Sequence, residues 1–391
     1  MGKVKRATSL VMYWSGDQIV VDHYLEGRTF CLDLEAVRVL AALSDWTDEA
    51  ELHTLFPGYT AESVRESVNT LKELGLVVTD ETGYYDALVD AAWKHWGQEA
   101  RYFHFVTKDA PYVTGQEEAA FLEELAAEAP PPTMKRYADA PRLYLPRAFL
   151  PMNAPFQEVL LERRTTRTFK QSPIPLRAFS TLLFYAFSPM YFVDAGLLGS
   201  LMMKTSASAG ARHETEFYVG VLNVESVPRG LYHYCQENHS LELLNPEYSP
   251  EKAVRFAYDQ EWVGETAFIV YVSARFERMM WKYRHSRAYR AILSNLGQFG
   301  QTFSLCATAL GLAPFVTAAL REHELEESLG LDGITESTMY MLACGVPTAP
   351  AGPQLHEEVN AVQFVSENFV QMYPAPASAS ARREGNSNAA D

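Results

Sequence analysis

Two places in the chain gather side chains able to do chemistry. In FERMMWKYRHSRAYR, Lys282 and Tyr283 stand together beside the apolar flank Met279, Met280 and Trp281. An apolar setting depresses a lysine toward neutrality and lets it work as a general base. The competing account is an exposed basic helix face, since six basic residues fall between Arg278 and Arg290, counting His285. In ERRTTRTF, Arg163, Thr165 and Arg167 alternate, so an extended backbone turns all three side chains one way. Two forked guanidinium groups and a hydroxyl suit a phosphate, with Arg164 close by. Taken alone, that cluster reads as a solvated basic face.

The elements that must position these groups follow from pattern. An amphipathic helix from Phe156 to Arg164 carries the arginine cluster, and a second helix, Leu176 to Phe187, starts after Pro173 and Pro175. Ser206 to Arg212 is a run of small residues opening into a strand from Glu216 to Asn223, where backbone amides can approach an anion or a flat ring. It is neither a GxGxxG dinucleotide fingerprint nor a GxxxxGK[ST] phosphate loop, so both standard nucleotide folds are disfavoured. Gly230 to Tyr234 and Ser240 to Leu244 form a hairpin signal, Thr266 to Ser273 reads as a buried strand, and Thr338 to Cys344 as another.

Between them lies Ala291 to Leu320, a stretch of 30 residues without Asp, Glu, Lys or Arg in a chain that is 21% charged. Length alone would allow a membrane span, but Asn295, Gln298, Gln301 and Thr302 cluster in its first half and Pro314 breaks the second. The spacing predicts a central helix from Tyr289 to Leu310, buried on nearly all sides, entered directly from Phe276 to Arg290. Gly297, Gly300, Ser304 and Ala307 give that helix one small-residue face, and Gln301 beside it is a packing group or a cofactor contact.

The first part of the chain reads as a separate small domain. Ser9 to Trp14 and Gln18 to Tyr24 form a hairpin around Ser15-Gly16-Asp17. Helical segments follow at Leu34 to Leu43, Asp48 to Leu55 and Ala61 to Leu74, then two short strands, Leu76 to Thr79 and Tyr84-Tyr85. This pattern predicts a winged helix. Its third helix mixes Glu62, Glu66 and Glu73 with Arg65 and Lys72, which suits a protein or peptide docking module, or a structural cap, better than DNA. Asp86 to Leu150 reads as an irregular aromatic and proline-rich connector containing one acidic helix, Gln116 to Ala129. Pro374 to Asp391 reads as a disordered tail.

The chain of 391 residues carries 33 Lys plus Arg against 49 Asp plus Glu, a formal charge of −16, which argues against nucleic acid as a partner. Cys31, Cys235, Cys306 and Cys344 are scattered without metal-ligand spacing, so no metal site is expected. The N-terminal residues lack a signal-peptide pattern, and a cytoplasmic setting is expected with no membrane association.

Six motifs in order resemble one group of enzymes. ERRTTRTF, TSASAGARHETEFYV, PRGLYHY with HSLELL, FERMMWKYRHSRAYR, GQFGQTFSLCATALGL and LGLDGITE are similar to SagB-type dehydrogenases of the FMN-dependent nitroreductase superfamily, the azoline oxidases of ribosomal peptide modification. The resemblance implies an α+β nitroreductase-like fold, a central mixed or antiparallel sheet flanked by helices, over residues 151–370. A winged-helix-like domain (1–90) and connector (91–150) would precede it, and the tail (371–391) would follow. It implies FMN as cofactor, with Arg163, Arg164, Thr165 and Arg167 on the phosphate and Ser208, Ala209, Gly210 and Gln301 along the flavin. Thr302 stands where relatives have Asn after that Gln, and Glu214 where many have Pro. Lys282 and Tyr283 match the pair that is catalytic in azoline oxidation. The implied reaction converts azolines to thiazoles or oxazoles in a modified peptide, in a homodimer and beside a cyclodehydratase complex. Two other readings are a nitroreductase-fold flavin enzyme acting on a small molecule or carrier-bound amino acid, and a non-catalytic peptide-docking partner.

Overall fold

The computed structural model describes residues 2–348; the expected tail lies outside them. The chain divides into two compact units, one running to Phe121 with Arg284–Tyr289 added, the other Leu122–Tyr283 with the described chain from Arg290 onward.

In the first unit β1 (Lys3–Arg6) lies between β5 (Thr47–Asp48) and β6 (Val77–Thr79), and β2 (Leu10–Ser15), β3 (Gln18–His23) and β4 (Arg28–Leu32) form a second antiparallel sheet. Helix α1 (Leu34–Ala42) begins where the Asp33 carboxylate accepts from the Ala36 amide at 2.7 Å, and α2 (Ala61–Glu73) where Thr60 caps the Ser63 amide. Their apolar faces, with Val39, Leu40, Val64, Val68 and Leu71, close on Val4 and Val21. The hairpin and both helices stand where the pattern puts them. Two expectations fail. Asp48 to Leu55 yields only a short 3-10 turn, Leu52–Leu55, and Tyr84-Tyr85, expected as a strand, opens α3 (Tyr84–Ala92). Strand β6 therefore has no hairpin mate and pairs with β1 instead. In the connector the expected acidic helix stands as α5 (Gln116–Ala127), and a helix that was not expected, α4 (Gln98–Val106), precedes it. Aromatic residues at helical spacing in α4 bring Tyr102 and Phe105 onto Tyr24.

The second unit is built on one eight-stranded sheet, antiparallel in every pairing along its path. Its strands are β7 (Arg142–Tyr144), β8 (Phe169–Lys170), β11 (Thr215–Val221), β12 (Gly230–Cys235), β13 (Ser240–Asn245), β14 (Phe268–Arg275), β15 (Ala313–Thr317) and β16 (Glu336–Pro347), in the order β15-β16-β14-β11-β12-β13-β7 with β8 paired to β16. A separate hairpin, β9 (Tyr191–Asp194) with β10 (Ser200–Met203), stands apart from it. Helices α6 (Phe156–Glu162), α7 (Leu176–Phe187), α8 (Pro250–Phe256), α9 (Phe276–Lys282), α10 (Ala288–Ala309) and α11 (Glu322–Leu329) complete the unit.

Strand alternation sorts the core. Phe217 of β11 meets Phe187 of α7 at 4.1 Å between ring centroids and Phe299 of α10 at 5.2 Å, while Phe303 stacks on Phe187 and meets Phe268. The neighbouring Tyr218 points into a different cluster with Tyr248, Tyr271 and Phe315. Each fully buried ring stabilises the fold by about 2 to 3 kcal/mol. Helix α10 starts and ends close to expectation, and Gly311 at φ +69 turns the chain into β15. It differs in two respects. The chain does not run straight into it: α9 stops at Lys282, and α10 begins at Ala288. Nor is it buried all round, because Leu293, Ser294, Gly297, Gln298 and Gln301 form an exposed, uncharged stripe. Among the described residues no helix is long and apolar enough to cross a membrane.

Candidate active site

The small-residue run before β11 forms a tight loop held from below by α10. Asn295, 2% exposed, accepts from the Ala209 amide at 3.2 Å through Oδ1 and donates through Nδ2 to Ser208 Oγ at 3.3 Å and to both Glu214 oxygens at 3.0 and 3.2 Å. The Ser208 hydroxyl also accepts from the His213 amide at 3.0 Å. Upstream, Ser206 donates to Thr302 Oγ1 at 2.7 Å, so Thr302 serves the loop. Burial raises the Glu214 carboxyl above its ordinary value, and the bonds from Asn295 and Ser208 only partly oppose it. His213 is pushed down to about 3 by burial and by the Lys204 charge, so it is neutral at pH 7, with Nε2 donating to Met202 O.

At the loop's apex Gly210 takes φ +59, and its missing side chain matters for a second reason. A Cβ there would lie 2.4 Å from Tyr283 Oη and 3.2 Å from Lys282 Nζ. The loop and the end of α9, distant in sequence, thus meet at one backbone position. Lys282 Nζ sits 5.5 Å from the Tyr283 ring centroid, and both residues are half-buried. Arg212 closes the same corner. It donates from Nε to Gly210 O at 3.1 Å and lies 5.0 Å over the Trp281 ring.

Helix α9 is fixed one turn earlier by Arg278, which is 2% exposed and donates to Pro132 O at 2.7 Å, His213 O at 3.1 Å and Glu216 Oε1 at 2.5 Å. Glu216 continues into a buried network: its Oε2 lies 3.2 Å from His233 Nε2 and accepts from Gln236 at 3.1 Å, and His233 Nδ1 meets Glu242 at 2.9 Å. Burial alone would raise the Glu216 carboxyl, but Arg278 and His233 outweigh it and hold it well below the usual carboxylate range. His233 is shifted the other way: against its burial, the two carboxylates raise it. Lys204, whose ammonium is enclosed although the residue is partly exposed, bonds to Gln236 and faces the Phe217 and Phe299 rings. Burial pushes it down to about 7.

The arginine cluster sits elsewhere in the same unit. Arg163 caps α6 and is half-buried, Arg164, Thr165 and Arg167 are exposed, and Thr166 between them anchors the strand-like segment by donating to Pro314 O at 3.0 Å. The Arg167 guanidinium lies 5.5 Å from the Trp262 ring and 5.7 Å from Phe315. Among the described residues no carboxylate pairs with Arg163, Arg164 or Arg167. No hydrogen bond or ring contact joins this cluster to the Ser208–Gly210 loop. Gln301 is exposed on α10, and its side chain makes no hydrogen bond among the described residues. A cavity of 1540 Å³ belongs to the first unit, lined by Asp22, Arg28, Trp93, Lys108 and Arg287 among others; the converging polar groups are at Gly210. Sequence reasoning passed over Asn295 and Arg212 as working residues. The signal for the first was a polar residue inside an uncharged helix. For the second there was none.

Residues 160–346 match the nitroreductase family. A protein of Methanocaldococcus jannaschii named as a nitroreductase is 32% identical over 174 residues, covering 44% of this chain and 83% of that protein. The trifolitoxin-processing protein TfxB of Rhizobium leguminosarum bv. trifolii is 27% identical over 313 residues, 78% of this chain and 82% of TfxB. A solved structure from Anabaena variabilis, also named as a nitroreductase, aligns with a TM-score of 0.47 at 17% identity over 61% of this chain and 49% of its own, so the chain spans about half of its length. The chain belongs to the nitroreductase family, the superfamily in which the SagB-type dehydrogenases that its motifs resemble are placed.

Proposed function

We propose that the protein is an FMN-dependent dehydrogenase that oxidises azoline rings to azoles in a modified peptide. The observation that carries the chemistry is the convergence of Lys282 Nζ and Tyr283 Oη on Gly210. The similarity to a trifolitoxin-processing protein supports a peptide as substrate. The residues present fit FMN: the uncompensated guanidinium groups of Arg163, Arg164 and Arg167 with Thr165 suit its phosphate. Ser208, Ala209 and Gly210 present a small, hydrogen-bonding surface to a ring, and Gln301 is open to a further contact. FMN, when bound, supplies the two-electron acceptor for the reaction.

The chain's own part is placement and proton transfer. Asn295 and the Ser208 hydroxyl hold the loop, Arg278 holds α9, and these supports set the Lys282–Tyr283 pair against Gly210. A base of the pair takes the proton from the azoline ring carbon. The exposed uncharged stripe of α10 is the face on which a second copy would pack to form a homodimer.

The first unit has a peptide-docking character of its own. Strand β4 is an outer strand of its sheet, and a groove of 280 Å³ runs near it, with Leu32, Ala36, Val39, Phe56, Tyr59 and Leu71 in its walls. An extended peptide can add to such an edge, in keeping with a substrate presented within a cyclodehydratase complex.

The purified protein should be yellow and release FMN, and azoline-containing peptides should lose two hydrogens by mass spectrometry. A Lys282→Ala, Tyr283→Ala double variant that binds FMN and oxidises azoline at the parental rate would overturn the assignment of the pair.

A further inference from the structure

Arg212 is 8% exposed, yet no carboxylate pairs with it among the described residues. Its hydrogen bond runs to a neutral acceptor, Gly210 O, and its guanidinium lies over the Trp281 ring. Buried guanidinium groups are ordinarily matched by an anion, because an unmatched charge away from water is costly. Arg278, also buried, has Glu216.

The unmatched charge stands where it has something to act on. Gly210, whose carbonyl holds Arg212, is also the position against which Tyr283 Oη and Lys282 Nζ converge, and Trp281 directly precedes the pair in α9. Burial pushes the guanidinium below its ordinary value, and Tyr283 is the group that pulls it back. A fixed cation near a phenol or an ammonium favours the deprotonated form of either. Four other charged groups on the surrounding elements have partners of their own: Glu214 bonds Asn295, Arg278 bonds Glu216, Lys204 bonds Gln236 and Glu277 bonds Arg275. His213 is neutral, and Arg284, next in the chain, has the same sign as Arg212.

We propose that Arg212 is a positioning residue for the Lys282–Tyr283 pair: held by Gly210 and Trp281, it supplies the fixed positive charge that keeps the pair able to accept a proton. This rests on the reading of the pair as the base.

The test needs no substrate. The full chain, as purified, is labelled with 13C at the tyrosine ζ carbon, and the Tyr283 resonance is identified by its loss in Tyr283→Phe. Its titration is then followed by NMR. Arg212→Gln should raise the midpoint by about one pH unit, whereas Arg212→Lys, which keeps the charge, should leave it near the parental value. Trp281→Leu, which removes the shelf under the guanidinium, should raise it as well and replaces Arg212→Gln should that variant not fold. An unmoved midpoint in a folded neutral variant overturns the proposal, as does a rise in Arg212→Lys as large as in Arg212→Gln. A shifted midpoint in a protein that does not oxidise azoline would leave the charge coupling standing and remove the proposed function instead.

Discussion

Arg212 and Glu216 are buried charges on the same entry into β11, yet their surroundings are opposite in kind. Glu216 is met by Arg278, His233, Gln236 and the Lys135 amide. Arg212 has one carbonyl and the face of an indole. The first arrangement is self-sufficient: each member compensates another, and the result is a rigid platform of strand, helix and loop. The second leaves charge uncompensated at the spot where two titratable side chains meet. A protein that can match a carboxylate so fully on one side of a strand is not short of means on the other. The difference separates the part of the unit that holds from the part proposed to act.

Three substitutions sharpen or break this contrast. Arg278→Met should have the largest effect, since it removes the main counter-charge of Glu216 while leaving that carboxylate buried; a loss of about 3 kcal/mol in unfolding free energy is expected by chemical denaturation. A loss no larger than that of an ordinary surface substitution would mean that the network is not the platform described. Lys204→Met should come next and carry the opposite sign. With its ammonium pushed down to about 7 from 10.5, the folded chain binds fewer protons than the unfolded one across that window, so the lysine's penalty is fully present below about pH 7 and fades as pH rises toward 10.5. The variant should therefore be more stable by ~2 kcal/mol at pH 7 and nearly equal to the parent near pH 10, read from thermal melts at several pH values. Gly210→Ala should be the mildest for stability, about 1 kcal/mol for a side chain at positive φ. Its Cβ, however, would displace the Tyr283 hydroxyl, so azoline oxidation should fall at least tenfold with FMN still bound. An unchanged rate would detach the pair from the loop.

Much of the fold was legible before any coordinates. Helix α7 spans the residues its periodicity marks, and the Gly230 and Ser240 strands pair as their alternation requires, because these segments bury one full face and local pattern agrees with tertiary demand. Tyr84-Tyr85 misled because two aromatic residues after a turn fit a strand edge and a helix start equally well, and only the apolar spacing through Ala92 decides. In α4 the aromatics looked irregular since no caps frame them; Gly97 offers no side-chain cap. At the site, Lys282, Tyr283 and the small-residue loop were visible as types and spacing. Their meeting at Gly210 was not, because it joins residues more than seventy positions apart. Arg212 was read as the end of a small-residue run, since nothing in a sequence tells a matched guanidinium from an unmatched one.

The boundary between the two units is crossed three times, at 121/122, 283/284 and 289/290, so the residues directly after Tyr283 belong to the first unit and the chain returns to the second at Arg290, within α10. Neither unit is therefore a contiguous cassette. A truncation that deletes everything before Leu122 still carries Arg284–Tyr289, stripped of the unit they belong to and spliced directly behind the proposed base. Fusion, deletion or recombination at Phe121 would leave that short segment, directly behind the candidate site, without the rest of its unit. The N-terminal unit is thus one that neither an engineer nor an evolving gene can exchange cleanly by a single cut.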